Sequence, residues 1–183
     1  MTAFVRHTIE TAPEASRPAM TRLQQSAGLI PNLAATMSEA PTLIDGFVTL
    51  REIYQRATLD AKEREILGLS NAVANGCEWC VAFHSFVALK LGVDRATVDA
   101  IRQGTAPVDP RARALNAFTA RLIERRGAID KADLDAFIGA GFTKQQALEA
   151  VAGLAMSLMA NYAGNFVEPE LDGFLHDLKW SGH

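Results

Sequence analysis

Apolar residues recur at helical spacing along most of the chain, and the alternating apolar and polar runs typical of β-strands do not appear. Helix start signals precede most of these segments: a proline at the first helical position, or an Asp or Thr suited to cap the helix. We therefore predict an all-α protein. The predicted helices cover approximately residues 41–54, 60–74, 77–91, 94–101, 109–125, 130–138 and, after the capping box that begins at Thr143, 147–162.

The last predicted helix, 147–162, is apolar nearly all round, which is typical of a central helix or of one at an interface. Its longest apolar run, 150–160, is too short to span a bilayer and is interrupted by Ser157. The N-terminus has no apolar stretch that could be a signal peptide. We therefore expect a cytoplasmic protein with no membrane partner.

Length and composition are typical of one globular domain. The chain has 183 residues, of which 49% are hydrophobic and 21% charged, so disorder is not expected. The formal net charge is −3, and Lys and Arg form no stripe, which argues against a nucleic-acid partner. We predict a single domain over 1–183, with 1–12 as a flexible arm.

The chain has two cysteines, Cys77 and Cys80, which form one C-x-x-C motif with His84 one helical turn later. Such a pair in a reducing cytosol is more typical of transient redox chemistry than of a permanent cross-link. Three alternatives stay open. A structural disulfide would close a small loop and add little stability; zinc could be bound by the three side chains and a carboxylate, although no second ligand pair follows; and both thiols could pack as small core residues.

A helix that begins near Cys77 places Cys77, Cys80 and His84 within a sector of roughly 60°, so the three share one face. Both thiols then lie at the helix N-terminus, where free N–H groups and the helix dipole favour a thiolate. His84 can act as a base toward Cys80, and Glu65 on the preceding helix can orient the imidazole. The alternative for Glu65 is a solvated residue in the first turn of its helix, and we expect Glu63 to face solvent.

The residues around this motif resemble those of a known protein family. The segments Arg64-Glu65-Ile66-Leu67 and Asn75-Gly76-Cys77-Glu78-Trp79-Cys80, followed by His84, resemble the alkyl hydroperoxidase D (AhpD) branch of the carboxymuconolactone decarboxylase family. Ile30-Pro31-Asn32-Leu33 upstream and Gly139-Ala140-Gly141-Phe142-Thr143 downstream extend the resemblance over about 28–165. One position departs from the pattern, because some family members carry a histidine where this chain has Trp79.

The resemblance implies an all-helical AhpD-like fold whose central antiparallel helix hairpin carries the C-x-x-C motif. It also implies a trimer or hexamer and a cysteine-based peroxidase that uses no haem or metal cofactor. Cys80 would be linked through water to His84 and Glu65, and Cys77 would be its disulfide partner and the more exposed thiol. The implied partners are a hydroperoxide substrate and an external thiol or dithiol reductant.

The motif admits four interpretations. The first is hydroperoxide reduction, in which Cys80 attacks the peroxide and Cys77 then closes a disulfide. The second is a protein disulfide reductase that serves another peroxidase, and the third is a redox-sensing oligomeric module. The decarboxylase branch of the family would not need two cysteines. Near the motif, we expect Trp79, Phe83 and Phe86 to pack in the core rather than line a substrate pocket. The other histidines, His7, His176 and His183, are expected at the surface.

Overall fold

The computed structural model describes residues 4–182, and within them all regular secondary structure is helical. The all-α prediction is therefore confirmed. The α-helices of this range are α1 Arg17–Ala27, α2 Asn32–Met37, α3 Pro41–Tyr54, α4 Ala61–Ala74, α5 Glu78–Lys90, α6 Arg95–Arg102, α7 Pro110–Glu124, α8 Lys131–Gly139 and α9 Lys144–Val167. Short 3₁₀ helices cover Glu14–Ser16 and Gly173–Leu178.

The predicted capping residues begin the helices as expected. The Asp60 carboxylate accepts the Glu63 N–H at 2.8 Å, and the Glu63 side chain accepts the Asp60 N–H at 2.9 Å. Thr143 and Gln146 form the same reciprocal capping box at the start of α9. Each box satisfies two N–H groups that a helix end otherwise leaves unpaired.

The centre of the fold is the hairpin of α4 and α5. Gly76, with a φ of 64°, supplies the left-handed turn between the two helices. α4 carries the buried run from Ile66 to Ala72 and packs against α5, α7 and α9. The hairpin therefore holds the C-x-x-C segment inside the bundle, as the resemblance implies.

Helix α9 is longer than predicted and is buried on only one side. It continues to Val167 and ends where Glu168 adopts a left-handed conformation. By length and composition it is sufficient to span a membrane, and 39% of the qualifying window is buried inside the structure. The central helix of a bundle meets the same criteria, and α9 packs against α3, α4 and α5. Cytoplasmic localisation stays a prediction.

The helical pattern of the sequence did not reveal α1 and α2. α1 buries Ala19, Met20 and Leu23 and is otherwise polar, so its apolar stripe is narrow. α2 has six residues, which is too short for a helical period to be recognised. Both helices supply walls of the cavity described below.

The N-terminal segment contacts the bundle from Phe4 onward, while residues 1–3 of the predicted arm lie outside the described residues. The Phe4 and Phe166 rings are 5.2 Å apart between centroids, and Ala12 is buried. The His7 side chain, expected at the surface, is 11% exposed because its Nε2 binds Glu39 at 2.7 Å. Mobility of residues 1–12 stays a prediction. His176 is exposed as expected, and His183 lies outside the described residues.

Candidate active site

Cys77 and Cys80 form a disulfide at the N-terminus of α5, with their Cα atoms 5.2 Å apart. Cys77 is the N-cap residue, and its sulfur accepts the Cys80 N–H at 3.3 Å. The helix thus begins one residue after Cys77. Both sulfurs lie at the positive end of the helix dipole, which stabilises negative charge on sulfur when the pair is reduced.

Both sulfurs are buried, but they face different surroundings. Cys77 is 1% exposed and Cys80 is 2% exposed, so the expectation that Cys77 is the more accessible thiol is wrong. The reason is that α9 crosses directly over Cys77. A Cβ at Gly164 would lie 2.7 Å from the Cys77 sulfur and 3.5 Å from that of Cys80. Cys80, in contrast, lines an internal cavity.

Replacing Gly164 with alanine should destabilise the protein. A methyl group at this position overlaps the Cys77 sulfur, and overpacking of this kind costs about 1–3 kcal/mol. This exceeds the roughly 1 kcal/mol that alanine gains over glycine in a helix. Urea unfolding should give a lower free energy of unfolding for Gly164→Ala. The control Gly139→Ala, where no heavy atom lies within 4 Å of the added carbon, should not be destabilised.

Glu65 and His84 form the polar pair of the site. The Glu65 Oε2 and His84 Nδ1 atoms are 2.8 Å apart, and the two side chains are 20% and 13% exposed, respectively. Glu65 is therefore bound to the imidazole rather than solvated at the helix surface. Because a carboxylate only accepts, Nδ1 carries the hydrogen and Nε2 is left free to exchange a proton.

The imidazole lies against the backbone of α4 at Gly68, one turn after Glu65. A Cβ at Gly68 would lie 2.5 Å from His84 Cε1 and 2.6 Å from Nδ1. Any side chain there would move the ring. Sequence reasoning overlooked Gly68, although an isolated glycine inside a helix often indicates a close approach.

Glu63, which we expected to face solvent, is 7% exposed. One carboxylate oxygen completes the α4 capping box, and the other binds Arg111 Nε at 2.6 Å. A buried carboxylate needs such partners, since an unpaired one would be costly. Glu63 is therefore fully engaged at the start of α4.

The sulfur of Cys80 and the Glu65–His84 pair open onto one cavity of about 400 Å³. The cavity opens at the surface, since its lining includes the exposed residues Leu29, Gln55 and Leu91. The walls are mostly apolar and include Leu23, Leu33, Met37, Phe47, Phe83 and Phe86. Cavities of this size and character bind small organic molecules.

The aromatic residues around the motif pack in or against the hydrophobic core, as expected, and they also line the cavity, which we did not expect. Trp79, Phe83 and Phe86 are all part of its wall, and the Trp79 and Phe83 rings stack at 5.1 Å. Trp79 Nε1 donates to Asp172 at 3.0 Å, and Asp172 also accepts the Asn32 N–H. An indole N–H is a donor only, so Trp79 cannot shuttle protons as a histidine at this position would.

Among the described residues, the geometry offers no ligand set for the zinc alternative. In residues 4–182, no group of three or more His, Cys, Asp or Glu side chains is placed to hold a metal ion.

Sequence comparison finds a family model whose match covers the site. Residues 41–121 match the model of the carboxymuconolactone decarboxylase family, and this range contains Glu65, Cys77, Cys80 and His84. The predicted resemblance to the carboxymuconolactone decarboxylase family is confirmed. No curated protein matches the chain.

Solved structures show that the fold is AhpD-like. The alkylhydroperoxidase AhpD core of an uncharacterized peroxidase-related protein from Ralstonia eutropha JMP134 has a TM-score of 0.82 at 21% identity, over 95% of this chain and 94% of that one. An uncharacterized peroxidase-related protein from Silicibacter sp. TM1040 has a TM-score of 0.77 at 18% identity, over 96% and 94% of the two chains.

A third similar structure has a different named activity. The debrominase Bmp8 has a TM-score of 0.77 at 20% identity, over 97% of this chain and 96% of that one. A cysteine-to-alanine variant of Bmp8 was crystallised with 2,3,4-tribromopyrrole. At these identities the likeness establishes the fold, and the chemistry has to be argued from the site itself.

Proposed function

We propose that this protein reduces hydroperoxides through a Cys77–Cys80 dithiol/disulfide cycle, with Glu65 and His84 as its proton relay. One observation carries the proposal. The disulfide-bonded sulfur of Cys80 and the hydrogen-bonded Glu65–His84 pair face the same apolar cavity. A cavity of this kind admits an organic molecule to the sulfur and to a proton donor together.

In the oxidising half of the cycle, the Cys80 thiolate attacks the distal oxygen of R–O–O–H. The O–O bond breaks, His84 passes to the departing RO⁻ the proton that it took from the Cys80 thiol, and the products are ROH and a Cys80 sulfenic acid. The Cys77 thiol then attacks the sulfenic sulfur, which releases water and forms the disulfide. In the overall reaction of this half, ROOH and two thiols are converted to ROH, water and one disulfide.

In the reducing half, an external dithiol restores the pair by two exchange steps. Its first thiolate attacks Cys80, the sulfur that lines the cavity, and Cys77 departs as a thiolate at the N-terminus of α5. Its second thiol then displaces Cys80 and leaves the reductant as a disulfide. Because both sulfurs are at most 2% exposed, a small dithiol fits this step better than a folded protein.

The same burial favours hydroperoxide reduction over a protein disulfide reductase, whose sulfurs must reach those of a partner protein. Initial rates with purified reduced protein and a dithiol should separate the functions. We expect steady alcohol production from tert-butyl hydroperoxide and no acceleration of the reduction of a protein disulfide such as that of insulin. If the protein accelerates the reduction of insulin and does not reduce the hydroperoxide, it is a protein disulfide reductase and our proposal is wrong.

The structural likeness to Bmp8 suggests a second substrate for this experiment, 2,3,4-tribromopyrrole. The aromatic wall formed by Trp79, Phe83 and Phe86 also suits a halogenated ring. Dithiol-driven release of bromide from 2,3,4-tribromopyrrole would exchange one C–Br bond for C–H at the expense of two thiols. Bromide release without hydroperoxide turnover would contradict the proposed peroxidase.

We also propose that the protein forms a homo-oligomer through α9. Exposed apolar residues recur on its outer face at spacings of three and four: Leu148, Val151, Ala155, Leu158, Tyr162 and Phe166. Phe166 is 74% exposed and Tyr162 is 60% exposed. A stripe with this spacing is the seam by which two like helices pack, so a second copy of the chain is the partner that it fits. A trimer or hexamer is the assembly that we propose.

Charges on this stripe should dissociate the oligomer. In the variant Leu158→Lys/Phe166→Lys, pairing would bury unpaired ammonium groups, so light scattering should give the mass of one chain, 19.8 kDa. Val108→Lys, at a residue 80% exposed and outside α9, is the matched control and should keep the mass of the wild type. A wild-type protein that is already a monomer would contradict the proposal.

A further inference from the structure

The cavity contains a guanidinium group without a carboxylate partner. Arg51 lines the cavity on α3, and in residues 4–182 it forms no ion pair. Its side chain donates one hydrogen bond, to the Ser26 hydroxyl at 3.2 Å. Burial lowers the Arg51 pKa, and the nearby Glu65 opposes this shift. A partly desolvated guanidinium with spare N–H donors favours binding of an anion.

Two buried hydroxyls of the same cavity also lack partners. Tyr54 and Ser157 are 5% and 2% exposed, and neither hydroxyl has a hydrogen-bond partner in the protein. Buried hydroxyls are nearly always hydrogen-bonded. We therefore expect each of these two to form a hydrogen bond with a ligand in the cavity. Burial raises the Tyr54 pKa, which keeps its hydroxyl protonated and able to donate.

Arg51 and Tyr54 line the cavity from α3 and Ser157 lines it from α9, and these two helices pack against each other. Arg51 and Tyr54 are three residues apart on α3 and therefore share a face of that helix. The Tyr54 ring meets α9 at Gly153, where a Cβ would collide with the phenol oxygen, and Ser157 follows one turn later. Cys80 and His84 line the cavity from α5.

The charges around the cavity also favour an anion. Its lining contains Arg51, Arg64 and the exposed Lys90 against one carboxylate, Glu65, which already binds His84. The remaining walls are apolar and suit an alkyl chain.

We propose that Arg51, Tyr54 and Ser157 form a carboxylate-binding site, and that the preferred ligand is an amphipathic carboxylate of the fatty-acid class. The guanidinium and the two hydroxyls bind the carboxylate, and the apolar wall binds the chain. The further inference that the alkyl chain of this ligand carries a hydroperoxide group rests on the function proposed above. Binding of the carboxylate itself does not.

Calorimetric titration of the oxidised protein with octanoate and with methyl octanoate tests this site without any turnover. Octanoate should bind at least about tenfold more tightly than its uncharged ester, since hydrogen bonds to charged groups contribute this much or more. Arg51→Gln should remove this preference and leave ester binding unchanged. The matched control Arg56→Gln removes an exposed guanidinium just beyond α3 that does not line the cavity, and it should bind as the wild type does.

The double variant Tyr54→Phe/Ser157→Ala covers the case in which Arg51→Gln does not fold. Because these hydroxyls have no partner in the protein, their removal should leave thermal stability unchanged while octanoate binds several-fold more weakly. Equal affinity for octanoate and its ester, or octanoate binding unchanged in both variants, would overturn the carboxylate site. If octanoate binds as proposed but the protein does not turn over hydroperoxides, the proposed peroxidase activity would be contradicted and the carboxylate site would be supported.

Discussion

Replacing Cys80 with serine should lower the rate of hydroperoxide reduction by at least about a thousandfold, the scale of loss expected when a catalytic nucleophile is removed. A serine hydroxyl at this position would be neither a thiolate nor able to form a sulfenic acid. The measurement is alcohol production with tert-butyl hydroperoxide and a dithiol. Because Cys80 packs as a small buried residue, far-ultraviolet circular dichroism should show an unchanged helical content.

Cys77→Ser is the informative companion, since it removes the resolving thiol and keeps the attacking one. This variant should release one equivalent of alcohol and then stop or slow, with a sulfenic acid on Cys80 that a dimedone probe traps. The roles of the two cysteines would be reversed if Cys80→Ser, rather than Cys77→Ser, gave the trapped sulfenic acid. Full turnover in both variants would contradict the cycle altogether.

Replacing Gly68 with alanine should lower the rate by about a hundredfold through His84 alone. The added carbon would lie 2.5 Å from the imidazole, so the ring must move away from Glu65. Loss of a positioned acid–base group costs about 10²–10⁴ in rate. The measurement is again alcohol production, together with thermal unfolding to verify that the variant is folded.

Two further variants show whether the loss of rate comes from the displaced histidine. Gly139→Ala adds the same carbon where no heavy atom lies within 4 Å and should keep the wild-type rate. In the double variant Gly68→Ala/His84→Ala, the glycine substitution should add little to the effect of His84→Ala, because both changes remove one function. Fully additive losses would show that Gly68 acts through something other than His84.

The sequence was sufficient to predict the parts of the fold that local signals determine. Asp60, Thr143 and the other capping residues mark helix starts because their side chains bond to backbone N–H groups only a few residues away. Gly76 marks the hairpin turn because its left-handed φ suits glycine. Spacing alone predicts that Cys80 and His84 share one face of α5, and both line the cavity, whereas Cys77 is the N-cap residue before the helix. The prediction that Glu65 reaches His84 depended on the hairpin and agrees with the 2.8 Å contact.

What the sequence could not reveal depends on contacts between distant helices. The burial of Cys77 is set by Gly164, which lies 87 positions further along the chain. Part of the cavity wall comes from α1 and α2, which the helical pattern of the sequence does not reveal and which pack against α3 and α9. Arg51, Tyr54 and Ser157 look like ordinary helix residues in the sequence. Only the packing of α3 against α9 buries the Tyr54 and Ser157 hydroxyls and brings them into the lining of one cavity with Arg51.

The most direct test of the central claim is a single addition of one equivalent of tert-butyl hydroperoxide to the fully reduced protein, followed by a count of free thiols and of alcohol. We predict that two free thiols per chain fall to none, that one equivalent of alcohol appears, and that peptide mass analysis finds Cys77 joined to Cys80. Two thiols that persist beside unreacted hydroperoxide would contradict the account.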